Sequence, residues 1–403
     1  MVTQERDEIR KLARQVSEIA HSQETAAIRQ RWRDVNALRK PDRAPVWCRP
    51  VGMWSELLPE TELHCADPWL RGWERAFRRA LIKHDIGDDE PVEEYFTVPA
   101  VVDADPPNVY GVDLGLHEPD VEWGAYSFEP PLKGEDDFSR LRLPRFTYNA
   151  AQTAEALAKA QELLGDIMPV QVAGTVPLGG SLSDVAARMI GLNELMLHMA
   201  LTPAMIHRLL AYLRDTVLAA VDQAEAQGYL TPNNTGPMFC SDLIGQPTNG
   251  KYTCKNQWLV MASQEYQLIG PKMWDEFLLA YQKPIAERFG LVQYGCCEDL
   301  THKIDGVLTV PNLRVFVSSA WTDLNKVVDK VGKKHTIMWR QRASEVVFPD
   351  DTSSIEQHLE RGCQLLRGSY YQIVLRELQT LAGHPRRLHD WVELAIAKAA
   401  KYA

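Results

Sequence analysis

The chain has 403 residues, of which 45% are hydrophobic and 24% are charged, and its formal net charge at pH 7 is −10. This composition is typical of a globular protein with a large core, organised as one large α/β barrel or as two domains. The acidic balance argues against nucleic acid as a partner, because a nucleic-acid-binding protein normally carries a basic face.

The sequence predicts neither a membrane segment nor a secretory route. No apolar run approaches the roughly 18 residues that a helix needs to cross a bilayer. Residues 1–14 are charged and lack the apolar core of a signal peptide. The seven cysteines include no Cys-X-X-Cys pair, which is typical of free or metal-bound thiols in a reducing compartment. We therefore predict a cytoplasmic protein that binds neither nucleic acid nor a membrane.

The N-terminal region differs in pattern from the rest of the chain. Between residues 4 and 39, apolar side chains recur at helical spacing, which predicts helices outside the main core. We assign residues 1–40 to an N-terminal helical extension and residues 41–403 to a single main domain. Within that domain, residues 103–147 are rich in Asp, Glu, Pro and Gly and are predicted to form a loop-rich insertion or lid.

Strand-like and helix-like segments alternate through the main domain, which indicates a parallel sheet and an α/β fold. No Gly-X-Gly-X-X-Gly follows an early strand, so the sequence does not favour a dinucleotide-binding sheet. The number and spacing of the strands fit a closed (β/α)8 barrel of the TIM type better than an open sheet. The predicted strands are residues 44–49, 93–102, 168–176, 236–242, 291–295, 313–318, 336–340 and 371–375.

Polar residues follow or end several of these strands. In a barrel of this type, functional side chains gather at the carboxyl ends of the strands. Segments that are far apart in the sequence would therefore meet at one mouth, and this convergence is the main functional signal that the residues carry. The polar strand ends include Arg49, Asp242, Cys296-Cys297-Glu298, Arg340 and Arg376-Glu377.

The densest group of reactive side chains is Cys296-Cys297-Glu298, directly after a predicted strand. Zinc accepts thiolate and carboxylate ligands, and an open-coordination zinc can polarise a substrate oxygen. Neighbouring residues of a strand point to opposite faces, so only one cysteine can face the barrel axis unless the strand has ended. The alternative is structural, with one cysteine as a small core residue and the other in a tight turn.

Two carboxylates at other strand ends also have two interpretations each. Asp242 can orient substrate or serve as a base, or it can cap the segment that follows it. Glu377 comes after the apolar run Ile373-Val374-Leu375 and Arg376. It can bind a metal, or the strand end can be structural, with an ion pair from Arg376 to a carboxylate that closes the barrel.

Motifs along the chain resemble the uroporphyrinogen decarboxylase superfamily, which includes corrinoid-dependent methyltransferases. The segment Asp42-Arg43-Ala44-Pro45-Val46-Trp47 is similar to the opening strand of that family. The decarboxylases continue with Met-Arg-Gln-Ala-Gly-Arg, whereas this chain reads Cys48-Arg49-Pro50-Val51-Gly52-Met53. Arg49 therefore matches, and Met53 replaces the second arginine. Since those arginines hold substrate carboxylates in the decarboxylases, the resemblance implies that uroporphyrinogen itself is not the substrate.

In the zinc-bearing methyltransferases of this superfamily, the sixth-strand region carries His-X-Cys and the last strand a further cysteine. Here the first motif aligns as Tyr294-Gly295-Cys296, and Arg376-Glu377 stands where the second cysteine is expected. Any zinc must then use a carboxylate, and the implied ligands are Cys296, Cys297 and Glu377. The resemblance covers the chain from about residue 40 to the end. It points to a branch described as decarboxylase-like or as the methyltransferase components of O-demethylase systems.

The resemblance implies transfer of a methyl group from a small methylated donor, such as a methoxylated aromatic compound, to cobalt. The cobalamin would be carried by a separate corrinoid protein, because the chain has no recognisable cobalamin-binding motif of its own. A zinc ion or an acid would activate the leaving group, and a homodimer is an allowed assembly. The implied catalytic residues are Glu298, Asp242 and Glu377, and the implied substrate-binding residues are Arg49, Trp258, Tyr294 and Arg340.

Two other functions compete with methyl transfer. A cofactor-free decarboxylase of an acidic substrate would need arginines around the carboxylate and no cysteines. A non-catalytic barrel that acts as a partner or sensor would have its mouth filled by side chains such as Trp54, Trp258 and Trp339. The arginines available to a decarboxylase are Arg49, Arg340, Arg342 and Arg376.

Overall fold

The computed structural model describes residues 2–117, 126–349 and 351–403 of the chain. Strands and helices are numbered separately in chain order. The strands are β1 (Val46–Pro50), β2 (Phe96–Pro99), β3 (Val102–Asp105), β4 (Leu116–His117), β5 (Ser127–Phe128), β6 (Arg145–Tyr148), β7 (Val170–Ala173), β8 (Trp258–Met261), β9 (Leu291–Tyr294), β10 (Leu313–Ser318), β11 (Thr336–Gln341) and β12 (Tyr371–Leu378). The helices are α1 (Val2–Ala20), α2 (Gln23–Asn36), α3 (Trp54–Leu57), α4 (Pro68–Ile86), α5 (Ala150–Leu164), α6 (Leu182–Ile190), α7 (Leu192–Leu201), α8 (Pro203–Gln227), α9 (Pro271–Trp274), α10 (Ala280–Ala286), α11 (Ile304–Val307), α12 (Leu324–Val331), α13 (Ser344–Val347), α14 (Ser353–Leu366) and α15 (Arg387–Lys401).

Six strands form one curled parallel sheet in the order β1-β12-β11-β10-β9-β8. β2 and β7 form a separate parallel pair, in which Phe96 lies opposite Val170. The predicted α/β class is therefore confirmed. Closure into a complete (β/α)8 barrel stays a prediction, because the hydrogen-bonded ladder joins six strands and leaves β2 and β7 apart. Since the six strands are parallel, their carboxyl ends lie along one side of the sheet.

One predicted strand is wrong. Residues 236–242 form turns, because Gly236 and Met238 have positive φ angles of 79° and 72°. The strand that pairs with β9 is instead β8, in the register Trp258 to Leu291. The apolar run Trp-Leu-Val-Met is a strand signal, but four residues are too few to separate a strand from a loop by periodicity. Asp242 therefore does not lie at the end of a strand.

Both faces of the large sheet are covered. Successive residues of a strand point in opposite directions, so each strand contributes to two apolar layers. On one face, Phe316 and Ile373 belong to the same buried cluster as residues of α12, α14 and α15. On the opposite face, Val317 and Val374 pack with residues of α2. Burial of both faces explains why these strands are continuous apolar runs in the sequence.

Helix α2 covers the amino ends of the strands. Its Trp32 is fully buried. At its end, the Val35 carbonyl accepts a hydrogen bond from Thr336 Oγ1 at 2.7 Å, and the Asn36 carbonyl accepts one from Arg314 Nη1 at 2.8 Å. Helix α2 is thus part of the main core, and not outside it as the sequence predicted. The opposite ends of the strands stay available for a functional site.

β1 is an edge strand of the six-stranded sheet, and side chains form hydrogen bonds with its outer edge. Asp89 Oδ2 accepts a hydrogen bond from Val46 N, and Asp88 Oδ2 accepts one from Cys48 N, both at 2.7 Å. Asp88 also pairs with the buried Lys83. Each carboxylate therefore accepts a backbone hydrogen bond that a neighbouring strand would otherwise accept. A cation balances the charge of each buried carboxylate.

The predicted insertion, residues 103–147, contains short antiparallel pairs. β3 pairs with β6, and β4 pairs with β5. Residues 118–125, in the middle of this insertion, lie outside the described part of the chain. Across the described ranges, no helix has both the length and the apolar character needed to cross a bilayer.

Gly362 of α14 lies directly against the sheet. A Cβ atom at this position would be 1.9 Å from Cη2 of Trp339, whose ring is buried in β11. We predict that Gly362→Ala lowers the free energy of unfolding by about 1–3 kcal/mol, the usual cost of overpacking a core. Urea denaturation of the purified variant measures this change.

Gly72 of α4 is the matched control, because no atom lies within 4 Å of a Cβ placed there. Gly72→Ala should raise the free energy of unfolding by roughly 0.5–1 kcal/mol, since alanine loses less backbone entropy than glycine in a helix. Equal effects of the two substitutions would contradict the packing described for Gly362.

Candidate functional site

The chain turns sharply where β9 ends. Gly295 has a φ angle of 112°, and a Cβ atom there would lie 2.9 Å from Cβ of Val317. Glycine is therefore needed at this turn. Because the strand has already ended, Cys296 and Cys297 need not point to opposite faces, and their sulfur atoms lie 3.4 Å apart.

Glu298 holds this turn in place. Its side chain is fully buried, Oε2 accepts a hydrogen bond from Cys296 N at 2.8 Å, and Oε1 accepts one from Ser263 N at 2.7 Å. Glu298 thereby ties the loop after β9 to the loop after β8, which is a positioning role. Its predicted role as a catalytic acid stays a prediction. Ser263 was not predicted as a site residue, because the strand before it, β8, was not predicted.

Cys297, Glu377 and Arg340 meet at the carboxyl ends of their strands. Cys297 Sγ donates a hydrogen bond to Glu377 Oε1 at 2.7 Å. Arg340 forms an ion pair with Glu377 and donates to the carbonyl oxygen of Cys296. Its Nη1 atom lies 3.9 Å from the sulfur of Cys296 and 3.7 Å from that of Cys297. The Arg340 side chain is 4% exposed and that of Glu377 is 49% exposed. The cluster is therefore closed on the side of the buried Arg340 guanidinium and open to solvent beside Glu377.

Glu377 joins this cluster with a strained backbone. It lies in β12 but has a φ angle of 64°, which costs a non-glycine residue on the order of 1–3 kcal/mol. Its ion-pair partner is Arg340 of β11. The contacts with Arg340 and Cys297 offset part of the strain. Strain of this kind is typical of functional sites.

The surrounding charges make the two thiols different. The hydrogen-bonding contact between the two sulfur atoms is the largest influence on Cys296 and lowers its pKa to about 6, and the charges of Arg340 and Arg376 act in the same direction. The pKa of Cys297 is raised, chiefly by its hydrogen bond to Cys296. Burial raises the pKa of Glu377, but the hydrogen bond from Cys297 and the charge of Arg340 outweigh it, so that pKa is lowered. These influences favour a thiolate at Cys296 over one at Cys297, beside a Glu377 carboxylate.

The ligand atoms of Cys296, Cys297 and Glu377 all lie within 4.8 Å of one another. Two sulfur atoms and a carboxylate oxygen suit zinc, and three protein ligands leave a fourth position for substrate or water. Thiolate ligation would require loss of the Cys297 proton, and Arg340 would balance the excess negative charge. The residues therefore fit a zinc ion. No second group of this kind occurs in the described ranges.

Two further arginines lie close to the cluster. Burial lowers the pKa of Arg376, and the positive charges of Arg340 and Arg49 lower it further. The Nε atom of Arg376 is buried and has no hydrogen-bond partner among the described residues. Arg49 lies at the end of β1 and is exposed. Three guanidinium groups therefore lie around Glu377 and the two sulfur atoms.

Three predicted site residues have their contacts elsewhere. Tyr294 is fully buried, and its hydroxyl donates to Gln282 Oε1 at 2.8 Å. Trp258 is buried in the cluster that packs with α2. Asp242 is exposed and pairs with Arg39, which follows α2 at the amino ends of the strands. The structure thus brings together Arg340, Glu377 and the two cysteines, while Tyr294, Trp258 and Asp242 contact other parts of the fold.

No family model matches the chain, and no curated protein sequence matches it. Among solved structures, the chain is similar to a methyltransferase from Methanosarcina mazei, with a TM-score of 0.52 and 12% sequence identity. The similarity covers 93% of this chain and 98% of that one. At this level of identity, the likeness shows a common fold.

Cys296 should be the fastest-reacting cysteine of the metal-free protein. Its thiolate forms as the pH rises through about 6, whereas burial raises the pKa of Cys65, Cys240 and Cys363 to about 12. We predict that the rate of iodoacetamide alkylation at Cys296 rises through pH 6 and reaches a plateau near pH 7, about one unit above that pKa. Mass spectrometry of the alkylated peptides measures the rate at each cysteine.

Cys297→Ala is the informative variant, because it removes the hydrogen bond that lowers the pKa of Cys296. The midpoint for Cys296 should then move to higher pH. A midpoint near the ordinary thiol value of about 8.5 in the unmodified protein would contradict the described environment.

Proposed function

We propose that the protein is a methyltransferase that moves a methyl group from a small methylated donor to the cobalt of a cobalamin on a separate corrinoid protein. The observation that carries this proposal is the group Cys296, Cys297 and Glu377 at the carboxyl ends of parallel strands. Enzymes with parallel α/β barrels place their chemistry at those ends. The fold likeness to a methyltransferase from Methanosarcina mazei and the resemblance of the sequence motifs both support it.

Further features belong to the same proposal. β2 and β7 would complete the six-stranded sheet to a closed (β/α)8 barrel. The protein would act in the cytoplasm, and the donor would be a compound such as a methoxylated aromatic. A homodimer is compatible with this function. The proposal gives no chemical role to Asp242, Trp258 or Tyr294, since their contacts lie elsewhere.

Cys296, Cys297 and Glu377 would hold a zinc ion. Bound zinc supplies a Lewis acid that polarises the heteroatom carrying the methyl group and so improves a poor leaving group. Arg340 keeps the three ligand side chains together through its contacts with both sulfur atoms and with the carboxylate. Glu298 keeps Cys296 in position through the hydrogen bond from the Cys296 amide.

The chain also provides a route for a proton. Metal binding would require Cys297 to lose the proton that its Sγ donates to Glu377 Oε1 at 2.7 Å. Because the Glu377 side chain is about half exposed, this proton can leave to solvent on the open side of the cluster. Arg49, also exposed, would bind an anionic part of the donor.

Removal of either cysteine tests the proposal. The purified protein should contain about one zinc per chain, and Cys296→Ala and Cys297→Ala should each abolish binding. Methyl transfer to reduced cobalamin, followed by its absorbance, should fall by more than about 100-fold, since even residues that only support a metal ligand contribute 10–100-fold.

Cys240→Ala is the control, because Cys240 is a buried thiol outside the cluster. This variant should keep its zinc and its activity. Full activity without metal in both cluster variants would exclude the zinc mechanism.

A second candidate is a cofactor-free decarboxylase of an acidic substrate. The convergence of Arg49, Arg340 and Arg376 around a single paired carboxylate is the observation that favours it. This reaction predicts carbon dioxide release without any corrinoid protein. It also predicts the opposite mutational pattern, with Arg340→Gln inactive and both cysteine variants active. Release of labelled carbon dioxide from carboxylated substrates separates the two functions.

A further inference from the structure

A cavity of about 320 Å³ lies at the amino ends of β1, β11 and β12. The thiol cluster lies at the opposite, carboxyl ends of the strands. None of the residues proposed for methyl transfer borders it. Four cationic residues line it, together with three tyrosines and a serine. The lining residues that matter are Lys40, Arg43, Lys333, Arg367, Ser369 and Tyr370.

Only one of the four cations is neutralised. Both terminal nitrogens of Arg43 donate to the Asp89 carboxylate, at 2.6 and 2.9 Å. In the described part of the chain, the side chains of Lys40, Lys333 and Arg367 form no salt bridge and no hydrogen bond. No Asp or Glu side chain lines the cavity, although acidic residues outnumber basic ones in the sequence. The side chains that line the cavity therefore have an excess of positive charge.

The turn before β12 shapes one wall of this cavity. Gly368 has a φ angle of 83°, which favours glycine, and lies between Arg367 and Ser369. A Cβ atom at Gly368 would be 4.0 Å from Cε of Lys333, so the two segments are close. The turn therefore places Arg367, Ser369 and Lys333 on neighbouring parts of the wall, where all three can donate hydrogen bonds.

We infer that this cavity binds a small molecule that carries a diphosphate group. Lysine and arginine are the side chains that recognise phosphate oxygens, and three unpaired cations around a small volume call for a compact group of high negative charge. The volume lies at the lower end of the range of about 300–1,000 Å³ for small-molecule sites. A long polyanion is disfavoured, because the protein as a whole carries a net charge of −10.

Isothermal titration calorimetry of the full chain with inorganic pyrophosphate and with ADP tests this site. Both probes should bind, and the affinity should fall as the salt concentration rises, since salt screens exposed charges. Lys333→Ala and Arg367→Ala should each weaken binding by about tenfold or more, the value of one charged hydrogen bond. If ADP binds more tightly than pyrophosphate, the ligand is a nucleoside diphosphate, and Tyr370 is the aromatic side chain against which its base can stack.

Lys334→Ala is the matched control, because Lys334 is an exposed neighbour of Lys333 that does not line the cavity. It should bind pyrophosphate as the unmodified protein does. Absence of pyrophosphate binding, an equal loss in Lys334→Ala, or tighter binding of citrate than of pyrophosphate would each overturn the inference. The substituted side chains are exposed, so the variants should fold, and circular dichroism of each variant checks this. Because the cavity shares no residue with the thiol cluster, loss of methyl transfer leaves this result unaffected.

Discussion

The outer edge of β1 has no neighbouring strand in the six-stranded sheet, and the carboxylates of Asp88 and Asp89 supply the missing hydrogen-bond acceptors. A buried carboxylate is stable only when its charge is balanced, and here Lys83, Arg31 and Arg43 provide the balance. Since Arg31 belongs to α2, the same contacts hold that helix against the amino ends of the strands. This arrangement closes one end of the sheet and leaves the carboxyl ends for chemistry.

At the carboxyl ends, the buried guanidinium of Arg340 has a corresponding function. It contacts two sulfur atoms and pairs with Glu377, so it stabilises negative charge that would otherwise repel. A bound metal ion would neutralise the same negative charge. Because Arg340 already holds the ligand side chains together, they would need little rearrangement to bind it. Trp258 and Trp339, two of the three tryptophans that could fill the mouth of a non-catalytic barrel, are buried in packed layers. The Glu377 side chain is about half exposed, so its carboxylate is accessible to a ligand.

Local pattern predicted the strands that are buried on both faces. The apolar run at residues 313–318 matches β10 at both ends, because every residue in it must be compatible with a packed layer. The same reasoning failed at residues 236–242, where positive φ angles turn an apolar segment away from the sheet, and it missed β8, which is only four residues long. Asp242 was consequently placed at a strand end, whereas it pairs with Arg39 beside α2. Neither backbone angles at non-glycine residues nor pairing partners are visible in periodicity.

The sequence by itself determined the alternation of strands and helices, and it placed two cysteines and a carboxylate directly after one strand, because these are local properties. Only the tertiary structure decided which residues of this group touch. It turned Glu298 inward to hold the Cys296 amide, and it brought Glu377, 80 residues further along the chain, within 2.7 Å of Cys297. Contacts of this kind depend on the order of strands in the sheet and on the strained backbone of one residue. These are properties of the packed molecule, and no local pattern of residues encodes them.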